Sequence, residues 1–292
     1  MKEAGDAMHT SPTKPTVVVT GAAGYIGRHV VTALLDSGFA VRAIVRPGRG
    51  GDVDARATLV EADLFANDVN LEDLVGDNAR ALIHLAWQDG FKHNAHSHMH
   101  NVSRHFDFLT TVARLVPRVA VLGTMHEIGY WEGAITAETP TNPRSQYGIA
   151  KDALRRSLML DPVEGHELVW LRCYYIVGDD RQSNSIFTRL LEAVDAGKPT
   201  LPFTSGVNRY DFIDVDELAA QIAVAATTPG VAGVLNCCSG QPVSLAEKVE
   251  SFISDNHLPI SLDYGAFPDR AYDSPAVWGD ATDIKRIMAA GR

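Results

Sequence analysis

Residues 16–27 read TVVVTGAAGYIG. Residues 16–20 are a β-branched run closed by a glycine, the pattern of a strand buried on both faces of a parallel sheet. From Tyr25 onward, apolar side chains at Ile26, Val30, Ala33 and Leu34 keep helical spacing up to Asp36, and Ser37-Gly38 ends the helix. Between strand and helix stand Gly21, Gly24 and Gly27. In such a turn the first glycine makes the bend and the second lets backbone approach a pyrophosphate. The third lets helix and strand pack closely. The helix start at Tyr25 and Ile26 offers N–H groups and a partial positive charge to an anion. A tight turn without a ligand is the other reading of the same residues.

Outward from this stretch, strand and helix patterns alternate. Strands are expected over 40–45, 58–61, 81–86, 118–122 and 168–171, with long helices over 98–115 and 145–160. Alternation at this spacing means right-handed βαβ units and a parallel sheet with helices on both faces. The expected fold is therefore α/β: a Rossmann-type doubly wound sheet with a smaller C-terminal lobe. After Arg172 the pattern loosens, with helices expected over 186–196, 216–226 and 245–254. The expected division is a disordered tail over 1–15 and a dinucleotide-binding domain over 16–171, to which 211–237 return. A substrate lobe would be built from 172–210 and 238–292.

Composition narrows the function. A chain of 292 residues that is 46% hydrophobic can bury a large core. A formal charge of −10 argues against a nucleic-acid groove. No apolar run is long enough for a membrane span. Three cysteines, two of them adjacent (Cys237 and Cys238), give no disulfide framework, which points to reduced thiols in a cytoplasmic setting. No Cys/His spacing marks a metal site. His96 and His100 could share a helix face in the cluster from His93 to His105, but no acidic or cysteine ligand stands beside them. That cluster reads better as a wall of a ligand site or as helix packing.

The dinucleotide is read at the end of the second strand. An acid there suits the ribose hydroxyls of NAD, and an arginine suits the 2′-phosphate of NADP. The strand ends in Arg46 with no acid before Asp52, so NADP(H) is favoured and NAD(H) stays open. Asp63-Leu64, after the third strand, offers a carboxylate to the adenine amino group, or is an ordinary loop. Tyr147 and Lys151 stand four apart on one helix and share a face. An ammonium beside a phenol should lower its pKa toward working pH and ready it for proton transfer. Thr124 stands at the carboxyl end of the fifth strand, where ligands of open α/β sheets bind, and its hydroxyl could hold a reacting carbonyl or simply cap the strand end. His126 could act there as an acid or donor, or be structural.

Taken in order, VVVTGAAGYIG (17–27), EADL (61–64), LIHLAW (82–87), HNVSRHFDFLTTVA (100–113), VLGTMHEIGY (121–130), YGIAK (147–151), LRCYYIVG (171–178) and YDFIDVDELA (210–219) resemble the extended short-chain dehydrogenase/reductase family. Within it they resemble the nucleotide-sugar epimerase, dehydratase and reductase group. The resemblance implies a homodimer through the two long helices. It implies a phosphate loop at Gly21, Gly24 and Gly27, with Tyr25 and Ile26 beside it, and an adenine contact at Asp63 and Leu64. Leu85, Ala86 and Trp87 would line the cofactor, and Asn101 matches an asparagine of the long helix. Tyr147 and Lys151 match the catalytic pair, with Lys151 also on the nicotinamide ribose, and Thr124 matches the Ser/Thr. Residues 87–91 could wall the substrate pocket.

The departures bear on the reaction. Dehydratases of the family follow the threonine with Asp-Glu, and Met125-His126 stand here instead, so dehydration is not expected. Arg46 in place of an acid suggests an exchanging NADPH and a net reduction. Tyr175 stands where the family commonly has Asn, which leaves Thr124, Met125, His126, Tyr147 and Tyr175 as the substrate-side group. Arg209 and Arg270 are the candidates for the substrate's diphosphate, since guanidinium forks suit phosphate. The expected activity is NADPH-dependent reduction of a 4-keto-6-deoxy nucleotide sugar, with the proton from Tyr147. An epimerase with bound NAD and a non-catalytic dinucleotide-binding regulator are the rivals.

Overall fold

β1 (Thr16–Thr20) runs through the middle of a parallel seven-stranded sheet. The structure, a computed structural model, describes residues 14–160, 162–178, 181, 185–269 and 273–291. On one side of β1 lie β2 (Ala40–Val45) and then β3 (Thr58–Glu61). On the other come β4 (Ala79–His84), β5 (Arg118–Thr124), β7 (Glu167–Cys173) and β11 (Gly233–Cys237). The strand order reverses between β1 and β4, which opens a crevice at their carboxyl ends.

Strand alternation divides the core in two. Val17 and Val19 face one side with α1 (Tyr25–Asp36) and α6 (Val215–Thr227), through Val30, Leu34, Leu218 and Ile222. Val18 and Leu82 face the other with α3 (Ser97–Val112) and α4 (Gln146–Leu160), through Phe108, Val112 and Leu154. Val17, Val18 and Val19 are wholly buried, and each contributes about 1.5–3 kcal/mol of transfer free energy. Of the apolar side chains Phe108, Val112 and Leu115, which could serve a partner subunit or the core, the first two are core residues and Leu115 is exposed. α8 (Thr282–Ala290) packs on α6 and β11, and α2 (Leu71–Val75) is a single short turn before β4. Among the described residues, no helix is long and apolar enough to cross a membrane.

A second sheet stands beyond the carboxyl ends of β5 and β7. It joins β6 (Gly133–Ile135), β14 (Ala276–Gly279), β10 (Arg209–Asp214) and β12 (Pro242–Ser244), with β8 (Tyr175–Val177) pairing β10. Asp211 on β10 ties it together. Its wholly buried carboxylate accepts from the Ser239 N–H and hydroxyl, the Gly240 N–H and the Gly279 N–H. α5 (Ile186–Asp195), α7 (Leu245–Asp255) and the ribbon of β9 (Thr200–Pro202) with β13 (Ser261–Asp263) close a separate apolar cluster around Phe187, Leu190, Phe203 and Val249. The expected tail over 1–15 lies outside the described residues except for Lys14 and Pro15, and Arg270 lies outside them as well.

Candidate active site

The turn after β1 is built so closely that side chains are excluded. Gly21 has φ +69°, and a Cβ on it would lie 2.7 Å from the Ala86 nitrogen. A Cβ on Gly27 would lie 2.1 Å from the Gly21 carbonyl oxygen. Gly24 caps α1 without a side-chain hydrogen bond, and no acid stands in the first turn. A helix start with neither side-chain cap nor negative charge fits a diphosphate. The Tyr25 hydroxyl donates to the Gly178 carbonyl at 2.5 Å, which stitches this loop to the segment after β8.

Across the crevice, Leu85 and Ala86 leave β4 earlier than the sequence pattern implies and hang on Thr20. The Leu85 N–H bonds the Thr20 carbonyl at 3.2 Å, and the Ala86 N–H reaches its hydroxyl at 3.5 Å. Beneath them a buried chain runs from Thr20 Oγ1 to His84 Nδ1 at 2.8 Å and from His84 Nε2 to His105 Nδ1 at 2.9 Å. Burial pushes both imidazoles down, His84 far below its ordinary value and His105 to about 3. Both are therefore neutral. Trp87 stacks on His105 with centroids 4.4 Å apart and donates its indole N–H to His98 Nδ1 at 3.1 Å.

Thr124, Tyr147 and Lys151 come together at the end of β5. The Tyr147 phenol faces Thr124, the one neighbour that pulls its pKa down, while Thr124 Oγ1 accepts the His126 N–H at 3.2 Å. Lys151 Nζ donates to the Leu122 carbonyl at 2.6 Å and lies 3.9 Å from the Trp87 ring centroid. The electrostatics differ from the expectation. Burial drives the Tyr147 phenol well above its usual value, Cys173 and Glu127 push the same way, and only Thr124 opposes them. Burial also lowers Lys151 to about 8. The helical spacing put the two residues on one face, but the ammonium is held by Leu122 and Trp87, and burial, not Lys151, governs the phenol.

Three histidines surround the phenol. His93 stacks parallel to the Tyr147 ring at 5.4 Å, and its carbonyl accepts the Tyr147 N–H at 2.8 Å. His126 lies 4.4 Å from His93 and 6.1 Å from Tyr147, and His98 lies 5.3 Å from Tyr147. Burial lowers His126 to about 4. Met125 is buried in the turn beside it. The His93 contact had no periodic signal, since a loop places it. Among the described residues, no three His, Cys, Asp or Glu side chains gather as metal ligands.

At the adenosine end, Arg46 is exposed after β2, while Arg42 turns away to bond the Asp73 and Leu74 carbonyls of α2. Glu61, opposite Val45 on β3, accepts the Gly48 N–H at 3.1 Å. An acid thus reaches this turn from the neighbouring strand, where reading along β2 alone could not find it. Asp63 accepts the Phe65 N–H at 3.1 Å, with Leu64 half-buried between them.

A cavity of about 640 Å³ opens in the second lobe, lined by Arg189, Phe203, Asn208, Tyr210, Phe267 and Asp273 among others. Arg209 is not in its wall. Adjacent strand residues face opposite sides, so Tyr210 enters the cavity while Arg209 bonds the Pro242 carbonyl at 2.8 Å. Among the described residues that line it, Arg189 of α5 is the cation. The Tyr175 ring packs at a tilt against Tyr210, centroids 4.7 Å apart, two residues beyond Cys173, whose thiol donates to the Gly123 carbonyl beside Thr124.

A glycine turn at the switch point of a parallel sheet, with a tyrosine, lysine and threonine across the crevice, defines a dinucleotide-binding oxidoreductase fold. The chain belongs to the NAD dependent epimerase/dehydratase family, whose family model matches residues 17–238. It is an enzyme of the nicotinamide-dependent oxidoreductase type. It is 46% identical over 272 residues to dTDP-6-deoxy-L-talose 4-dehydrogenase (NAD(+)) of Aggregatibacter actinomycetemcomitans, covering 90% of this chain and 98% of that protein. It is 25% identical over 316 residues to UDP-arabinose 4-epimerase 1 of Arabidopsis thaliana, covering 93% and 74%. The fold matches UDP-N-acetylglucosamine 4-epimerase from Methanobrevibacter ruminantium M1, solved with UDP-N-acetylmuramic acid. That match has a TM-score of 0.78 at 21% identity and covers 94% of this chain and 92% of that one.

Proposed function

We propose that this chain interconverts the 4-hydroxyl and 4-keto forms of a 6-deoxyhexose carried on dTDP, by net hydride exchange with a nicotinamide dinucleotide. The observation that carries the reading is the grouping of Tyr147, Thr124 and Lys151 at the end of β5, across the crevice from the glycine turn. The 46%-identical relative, named for this chemistry and matched over nearly its whole length, supports the substrate. Met125 and His126, neither of them a carboxylic acid, speak against dehydration.

Gly21, Gly24 and Gly27 would hold the diphosphate against the start of α1, with Leu85, Ala86 and Trp87 on the opposite wall. When bound, the dinucleotide supplies or takes the hydride. The remaining work falls to the chain's own residues. In the reducing direction Tyr147 gives its phenolic proton to the oxygen at C4, and Thr124 donates a hydrogen bond to that oxygen as charge grows on it. A phenol raised by burial is protonated at working pH, which suits an acid. Lys151 keeps a positive charge beside the phenolate that proton transfer leaves. His126 and His93, both lowered by burial and so neutral, bond the sugar's hydroxyls. Arg189 and Tyr210 meet the nucleotide in the second-lobe cavity.

Arg46 and Glu61 together support use of both dinucleotides, the guanidinium meeting a 2′-phosphate and the carboxylate a 2′-hydroxyl. Exposed Met99 on α3 and Ile149 on α4 support a homodimer through these helices, and three buried free thiols suit the cytoplasm. The test of the reading is stoichiometric. With the dTDP-linked 4-keto sugar and NADH or NADPH, one reduced cofactor should be consumed per sugar reduced. Interconversion of 4-epimers with no net change in cofactor would make the chain an epimerase instead.

A further inference from the structure

Directly under Thr124 lies a carboxylate that the reaction does not touch. Glu127 closes the 3-10 turn Met125–Glu127 and is wholly buried. Its Oε1 accepts the Thr124 N–H at 2.8 Å and the Trp170 indole N–H at 2.9 Å. Its Oε2 lies 3.5 Å from the Arg172 guanidinium, itself wholly buried, and 3.5 Å from Arg155. Glu127 Oε2, Arg172 Nε and NH2, and Arg155 Nε have no hydrogen-bond partner among the described residues. Arg155 is anchored from outside by Asp152 at 2.7 Å, and Arg172 by the Thr136 carbonyl at 3.1 Å.

Stability does not explain this cluster. Removing a carboxylate and guanidinium groups from water costs several kcal/mol per ion, and apolar replacements of similar volume are often as stable or more so. Unsatisfied guanidinium nitrogens make the balance worse. What the cluster does achieve is geometric. A Cβ on Gly123 would lie 2.0 Å from Trp170 Nε1, so the strand end is pressed against the indole that Glu127 holds. Gly123, Trp170, Glu127 and Thr124 form one clamp around the last residue of β5. The turn it closes delivers the His126 N–H to Thr124 Oγ1, which fixes that oxygen on the Tyr147 side of the strand end.

We propose that Glu127 is a positioning residue, whose buried carboxylate fixes the backbone of Thr124 so that its hydroxyl meets Tyr147 and the reacting oxygen. This rests on the reading of Thr124 and Tyr147 as the chemical centre. Two near-isosteric variants separate reach from charge. Glu127→Gln keeps an acceptor oxygen at the Thr124 N–H and loses the charge. Glu127→Asp keeps the charge and draws the oxygen back by one methylene. A misplacement of about 1 Å at a reacting group can cost on the order of a hundredfold in rate. Glu127→Asp should therefore lose roughly ten- to a hundredfold in kcat, with the sugar KM and the dinucleotide Kd within about threefold of wild type. Glu127→Gln should keep kcat within about threefold, even if its melting temperature falls. The proposal is overturned if Glu127→Asp keeps wild-type kcat, or if Glu127→Gln falls as far as Glu127→Asp. Tyr147→Phe is measured alongside. Should it turn over normally, the reading of the chemical centre fails. Should it lose turnover while Glu127→Asp does not, only the role of Glu127 fails.

Discussion

The Lys151 ammonium sits 3.9 Å from the centre of the Trp87 ring and donates to the Leu122 carbonyl at 2.6 Å. An aromatic face and a carbonyl oxygen both favour the charged amine, yet burial is the larger effect and brings Lys151 down to about 8. The site therefore holds a cation that is ready to lose its proton just above neutrality.

This fixes the alkaline side of the activity profile. Turnover should fall as pH rises through about 8, where Lys151 loses its charge. Lys151→Arg, whose guanidinium does not deprotonate in this range, should show no such fall, whatever its absolute rate. The fall is not unfolding. A lysine with folded pKa near 8 and an ordinary value of 10.5 binds more protons when unfolded, so its effect on stability improves with pH over that interval. An identical alkaline limb in Lys151→Arg would remove Lys151 from this role.

The glycine turn predicts a paired outcome. In Gly27→Ala the new methyl meets the Gly21 carbonyl oxygen at 2.1 Å and the Ala22 Cα at 2.9 Å, both rigid backbone. Overpacking of this kind costs about 1–3 kcal/mol, and dinucleotide affinity should fall at least tenfold because the cradle itself must move. Gly51→Ala meets nothing within 4 Å and should change stability by less than about 0.5 kcal/mol. Thermal melts and dinucleotide titrations check both, and unchanged affinity in Gly27→Ala would mean that the cradle holds no dinucleotide.

Most of the sheet was legible because its inner strands are buried on both faces and its helices keep one apolar stripe. Thr16–Thr20, Tyr25–Asp36, Ala40–Val45 and Thr58–Glu61 fall where the pattern puts them. The short strands at Gly133–Ile135, Thr200–Pro202, Pro242–Ser244, Ser261–Asp263 and Ala276–Gly279 had no signal. Three or four residues cannot show a period, and their partners lie far along the chain. At the site, motif spacing brought Thr124, Tyr147 and Lys151 together. It could not reveal that burial would raise the phenol, that His93 would stack on it, or that Glu127 would turn inward. Those follow from packing. Nor could motif spacing show that Arg209 faces away from the cavity that Tyr210 enters, since neighbouring strand residues point to opposite sides.

Dinucleotide choice tests Arg46. Arg46→Ala should lower kcat/KM with NADPH at least tenfold and leave the value with NADH within about twofold, since only NADPH carries the 2′-phosphate. Equal losses with both cofactors would show that Arg46 does not read the phosphate.

Acid stability tests the buried histidines. Unfolded histidines take up protons below about 6.5, while His105 resists until about 3 and burial holds His84 well below its ordinary value. The unfolded state therefore binds more protons as pH falls, and stability should drop from about pH 6.5 toward 3. At pH 4.5 the loss should be on the order of 2–3 kcal/mol for His105. Denaturant melts of His105→Asn should show a shallower decline than wild type, and parallel curves would contradict the assignment.

The central claim is that the Tyr147 phenol supplies the proton for hydride exchange at the sugar. It is tested most directly by single-turnover reduction with saturating dinucleotide and dTDP-linked 4-keto sugar, in wild type and Tyr147→Phe. We expect the variant to bind the dinucleotide with wild-type affinity and to transfer hydride at least about a hundredfold more slowly. Hydride transfer at the wild-type rate in Tyr147→Phe would contradict the account.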